Sequence, residues 1–316
     1  MASKYGEIHD DKFLTDLSIK YGNGALIADE VFPRKPVMKR SDQYVVYGKQ
    51  DRRIHDAIRA AGSPAGEALA MSIESTPTYY CEEYALKDKV TREDEENADK
   101  PIEPMIDVTM GLTNQLLVAR EKRVADLCTA AATFSTSGNT TALSGVQQWN
   151  NATFSTSGTS IETRIDNAKE AIRATLGVEP NNIVIPAAVA KVMKRDSAIR
   201  DIIKYTDQTL LVNGELPRTL WNMNVIIPGA VYDSANQGAS YSGADVWGKH
   251  VLLFFRTPGV PRIRQVSFGI TFENKTFSVQ KWFEQNIEST WVQASHKLNE
   301  KVVSEYAGYL YRNVIA

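Results

Sequence analysis

The side chains best suited to chemistry are few and scattered. His9, His55, His250 and His296 lie at least 46 residues apart, with no HExxH pattern and no cysteine at ligand spacing, so no metal ligand set is expected. The cysteines, Cys81 and Cys128, form no CxxC. Cys128 falls on an apolar helical stripe and Cys81 in a tyrosine-rich strand, where packing accounts for them better than nucleophilic catalysis does. Gly22-Asn23-Gly24 begins a GxGxx pattern, but Ile27 stands where the third glycine belongs, and the segment reads as a turn. Neither GxxxxGK[ST] nor GxSxG occurs, which leaves phosphate-loop and nucleophile-elbow chemistry without residues. The acidic run Glu93-Asp94-Glu95-Glu96 lacks the alternating ligands and glycine of a calcium loop and reads as a solvated or partner-facing face. The expectation is a protein that is not an enzyme, with no catalytic residue, no metal and no cofactor.

The elements around these residues are unusual for an enzyme. Residues 1–42 mix Phe13, Leu14 and Leu17 at helical spacing with Gly22, Gly24, Pro33 and Pro36, which predicts an arm rather than a domain. Tyr44 to Tyr47 and Thr78 to Cys81 read as the two sides of one long hairpin, with Ala60 to Gly66 as its tip. A lone hairpin is marginal in water, so this one must lie on something else. Pro101 and Pro104 then suit a helix start, and Ile106, Met110, Thr113, Leu117, Val124, Leu127 and Ala131 recur near the helical period. A helix over about 101–134 would be roughly 45 Å long.

Ala-Thr-Phe-Ser-Thr-Ser-Gly occurs at 132–138 and again at 152–158, as if paired strands flanked a loop. From Thr159 helices and strands alternate: Thr159 with Glu162 suggests a capping box, Ile161, Ile165, Ala168 and Ile172 form a stripe, and Gly177 ends the helix. Ile183 to Ile185, Met223 to Ile227 and Trp247 to Phe255 read as strands, with Val189, Val192, Ile199 and Ile202 helical between the first two. Alternating Val266, Phe268, Ile270 and Phe272, then Phe277 to Phe283 and Tyr306 to Tyr311, predict a β-rich end.

Charge is balanced overall and divided locally. The 316 residues carry 36 Lys plus Arg against 38 Asp plus Glu, a formal charge of −2, which gives no footprint for sequence-specific nucleic-acid binding or for anionic lipid. Residues 34–59 nevertheless hold eight basic side chains against three acidic, and residues 82–103 hold nine acidic against four basic. No apolar run approaches the roughly 18 residues of a membrane span. Glu7, Asp10 and Asp11 stand where a secretory signal needs a basic and then apolar stretch, so export is not expected.

Several segments, in order, resemble the major capsid proteins of tailed phages with the Hong Kong 97 type of fold. They are Val31-Phe32-Pro33 with Pro36-Val37, Tyr80 to Leu86, Glu96 to Pro101, Leu117 to Ala125, Leu143-Ser144-Gly145 leading to Trp149, and Pro180 to Ile185. The resemblance implies an α+β fold with an N-terminal arm (1–42), an extended β-hairpin loop (43–92), a peripheral domain (93–158 and 246–316) with a spine helix at about 101–134, and an axial α/β domain (159–245). It implies homo-hexamers and homo-pentamers closing an icosahedral shell around double-stranded DNA. Because the arm is shorter than the scaffolding extension of some members, it also implies a separate scaffolding protein, with a portal and a possible decoration protein as further partners. The location implied is the virion, assembled in the host cytoplasm, with no membrane contact.

Within that reading the divided charge gains a role: Arg52, Arg53 and Arg59 are expected to meet Glu82, Glu83, Glu93, Asp94, Glu95 and Glu96 of an adjacent subunit. Two other readings are distinguishable. An encapsulin-like nanocompartment shell would enclose enzyme cargo rather than nucleic acid, and a soluble enzyme without a recognisable motif would run as a monomer with a formed cleft.

Overall fold

Two long strands dominate, Gly269–Glu284 and Ser289–Val302: the second buries Val292, Ala294, His296 and Leu298 at period 2, and the first shifts register between Glu273 and Ser278. They pair antiparallel across a turn in which Glu288 adopts φ 42°. The structure is a computed structural model that describes residues 9–10, 26–47, 54, 58–59, 61–62, 73–98, 103–151, 154, 160–206, 216–236, 238–259 and 265–316. The hairpin is the centre of a five-stranded sheet. Strand Glu82–Thr91 pairs antiparallel with the second long strand, while His9–Asp10 and the parallel strand Arg34–Pro36 lie along the first.

The described helices are α1 (Ala28–Val31), α2 (Arg92–Asn97), α3 (Pro104–Thr129), α4 (Ile161–Leu176), α5 (Ala187–Met193) and α6 (Ser197–Thr206). Helix α3 is the predicted long helix, shorter at both ends: Pro104 occupies its first turn, and a 3-10 turn over Ala131–Phe134 follows it. Its buried face runs through Thr109, Leu112, Thr113, Leu116, Arg120, Glu121, Val124, Ala125 and Cys128. The predicted stripe placed Leu117 on this face, whereas Leu116 is buried and Leu117 only half-buried. The reason is that Arg120 and Glu121 occupy the buried face at helical spacing from Leu116, and an apolar-only search steps past them.

Helix α3 spans two packing clusters. Leu112 and Leu116 pack with Phe277, Val279, Val292 and Ala294 of the hairpin, and Val124, Ala125 and Cys128 join the main core. At about 25 cal/mol per Å² of apolar area, each such side chain contributes roughly 1.5–3 kcal/mol. The main core lies on a second, six-stranded sheet ordered Thr219–Leu220, Met223–Ile226, Asn182–Val184, Val251–Phe254, Gly308–Arg312 and Thr140–Ala142. Strands from both sides of the boundary expected at 245/246 therefore share one sheet. Leu220-Trp221-Asn222-Met223 closes its tightest hairpin with Trp221 and Asn222 both at positive φ, and Lys169 donates to the Trp221 carbonyl at 2.6 Å.

Helix α4 buries Ile161, Ile165, Ala168 and Ile172 and stops at Gly177, whose φ of 71° needs no Cβ. Its cap is Ser160, one residue beyond the expected Thr159, accepting from the Thr163 N–H at 3.1 Å. The first copy of the repeat is a 3-10 turn and not a strand, because Phe134 turns fully inward to stack on Phe268. Of the second copy only Phe154 is described, and it too is buried in the main core.

Candidate assembly surface and the clasp beneath it

Described residues of the expected loop form two short ribbons. Ser41–Gln43 pairs with Thr78–Tyr80, and Val46–Tyr47 pairs with Ile73–Ser75, in two short ribbons separate from both large sheets. The root of the loop is anchored. Tyr79 stacks on Phe272 at 4.3 Å, and Cys81 is buried beside it, its thiol pushed up by burial. Beyond the root, Ile54, Ile58 and Ile73 are 95%, 90% and 60% exposed, apolar surface without a core of its own.

Arg59 is exposed, while Arg52 and Arg53 lie outside the described residues. All six acidic candidates sit on the strand Glu82–Thr91 or on α2, and all are exposed. They already have local tasks: Tyr84 Oη donates to Glu82 at 3.1 Å, Lys297 pairs with Glu83 at 3.1 Å, and Arg92 pairs with Glu96 at 2.7 Å. Thr91 caps α2 by accepting from the Asp94 N–H at 3.1 Å, and the run of acids in the first turn suits the helix dipole. Glu93 and Glu95 point outward on the same short helix.

Beneath this surface the N-terminal arm is held by a clasp that the apolar pattern does not reveal. Glu121, fully buried on α3, accepts from the backbone N–H groups of Ile27 at 3.1 Å and Ala28 at 2.8 Å, and from Trp247 Nε1 at 2.6 Å. Burial raises its pKa, and the three donors counter that only in part. Arg120 is 2% exposed, reaches Asp29 at 2.8 Å and donates to Thr271 Oγ1 at 3.2 Å. Arg34 completes the set, bridging Asp29 at 2.7 Å and Glu273 at 3.0 Å. Burial opposes ionisation of Asp29, but Arg34 and Arg120 override it and hold the carboxyl at about 2. Arg123 binds Glu300 on the second long strand at 2.9 Å.

Packing closes the clasp. Phe32 is fully buried and lies over Gly269, where an added Cβ would fall 2.2 Å from its ring. Arm, long helix and hairpin are thus tied together by charge and by one aromatic ring. Sequence signals for the clasp exist: Arg120 and Glu121 interrupt an apolar stripe at its own period, and a charged pair there must be satisfied internally.

Comparison with known proteins agrees with this layout. A family model described as "Phage capsid protein" matches residues 76–283. The chain is 28% identical over 277 residues to the major capsid protein of Burkholderia phage BcepMu, covering 84% of this chain and 83% of that one. It is 25% identical over 315 residues to the major capsid protein of Pseudomonas phage JBD67, covering 97% of each. Among solved structures, a phage-related protein from Bordetella bronchiseptica superposes with a TM-score of 0.70 at 22% identity, over 98% of this chain and 99% of that one. The capsid of Cyanophage P-SCSP1u gives 0.64 at 11% identity, over 99% and 92%. With a family match that runs from residue 76 through the strand Glu82–Thr91, the long helix and the first long strand of the hairpin to residue 283, this chain belongs to the phage capsid protein family.

Proposed function

We propose that this chain is a major capsid protein of the Hong Kong 97 type, assembling as hexamers and pentamers into an icosahedral shell around packaged double-stranded DNA. The observation that carries the reading is exposed apolar surface in the loop segment. Ile54, Ile58 and Ile73 are exposed, as is Arg59, which costs an isolated subunit stability and suits a subunit covered by its neighbours. The proposed outline is arm 1–42, extended loop 43–92, peripheral domain 93–158 and 246–316 and axial domain 159–245, with Thr140–Ala142, Val251–Phe254 and Gly308–Arg312 crossing that outline to complete the six-stranded sheet. Arg52, Arg53 and Arg59 of one subunit then face Glu82, Glu83 and Glu93 to Glu96 of the next. A separate scaffolding protein and a portal complete the particle, which is built in the host cytoplasm and ends as the virion head.

Negative-stain microscopy of the expressed chain, with and without its scaffolding partner, tests this reading. Rings or closed shells of uniform size are expected, with the partner improving closure. Dispersed single subunits under both conditions would contradict it. Nucleic acid inside particles purified from infected cells separates the phage reading from a cargo-filled compartment.

A further inference from the structure

His296 lies in the second long strand, opposite Tyr84, and is fully buried. Among the described residues neither of its ring nitrogens has a hydrogen-bond partner. A neutral imidazole carries one donor and one acceptor, so both are desolvated without return. The ring is enclosed edge-on by Phe277, with centroids 4.5 Å apart, and by Tyr84 at 5.7 Å. Arg123 lies over the Tyr84 ring, its guanidinium 3.7 Å from the ring centre. This is the seam where α3 packs on the hairpin.

We infer that the seam is an acid-sensitive lock, in which protonation of His296 places an uncompensated cation between α3 and the sheet and loosens the helix from it. The charges around it leave an imidazolium no free counter-ion. Helix α3 contributes Arg120 and Arg123, and the arm contributes Arg34, all three disfavouring a further positive charge. The nearby carboxylates are engaged: Glu300 with Arg123, Glu273 with Arg34, and Glu82 with the Tyr84 hydroxyl. Burial first, and then these arginines, lower His296 from an ordinary 6.5 to about 3.

The direction of the effect follows from linkage. A base depressed in the folded state binds fewer protons there than in the unfolded chain, so its stability is present above 6.5 and is lost as pH falls toward 3. Between about pH 7.5 and pH 5 the unfolding constant should rise about thirtyfold from this residue alone.

The test is equilibrium unfolding of the full chain in urea at fixed protein concentration, at about pH 7.5 and about pH 5, for wild type, His296→Leu and His296→Gln. Either variant that folds should lose most of the thirtyfold change, Gln while keeping a polar group in place. A pH dependence equal to wild type in a folded variant would overturn the lock. Deuterium exchange at the imidazole C2 carbon, read by mass spectrometry on the wild-type protein, gives an answer that needs no variant. Titration of His296 well below 6.5 supports the inference, and titration at the ordinary value overturns it.

Discussion

Glu121 shows how a single side chain can hold two parts of a chain together. Its carboxylate replaces water for the N–H groups of Ile27, just before α1, and Ala28, its first residue, and for the Trp247 indole, donors that would otherwise be buried without acceptors. Glu121→Ala should therefore destabilise the subunit by about 1–3 kcal/mol for each N–H donor left buried without an acceptor. Urea unfolding measures this, and a loss under about 1 kcal/mol would show that the arm is held by Phe32 and by the Asp29, Arg34 and Arg120 pairs without Glu121. At this scale the sequence was only partly legible. Cys81 and Cys128 were read as packed residues and are buried. Asp29, Glu273 and Glu300 could not be found, because one carboxylate on the arm and two on the hairpin gain meaning only when the arm folds back onto the hairpin.

At the scale of elements, the helix register makes the sharpest test. Leu116 is 4% exposed and faces Phe277 and Val292, whereas Leu117 lies at the rim of the same cluster. Leu116→Asp should abolish soluble folding by burying an unpaired carboxylate, while Leu117→Asp should leave a folded protein of reduced stability. Soluble yield and circular dichroism of the two variants check it, and equal behaviour would mean the helix is rotated from the register described. Periodicity located α3 and α4 because their stripes are long, and the αL glycine at 177 marked a clean stop. It failed at the first Ala-Thr-Phe-Ser-Thr-Ser-Gly, where local β-propensity yields to the burial of Phe134 in the main core.

For the whole molecule, the sequence carried the order of arm, loop, long helix and late sheet, since each has its own punctuation in Pro, Gly and charge. What it did not carry was the six-stranded sheet, whose strands come from five separate regions and whose order only tertiary packing decides. The proposed ionic contact between subunits belongs to this scale. Each exposed pair should contribute about 0.2–1 kcal/mol, too little to decide assembly singly and enough when repeated around a closed shell. Arg52→Glu with Arg53→Glu should weaken shells more at low salt than at high salt, with partial recovery when the acidic partners are reversed in the same chain. Unchanged shell yield across salt would remove the ionic role.

Beneath that detail lies the claim that the subunit is built to be covered by copies of itself. Sedimentation velocity of the purified full chain tests it most directly, because apolar and basic surface on a loop without a core should drive association at modest concentration. The account predicts discrete species at capsomer or shell mass, with little material at 35.1 kDa. A single, stable 35.1 kDa species persisting at high concentration, with residues 43–92 resistant to protease, would contradict it.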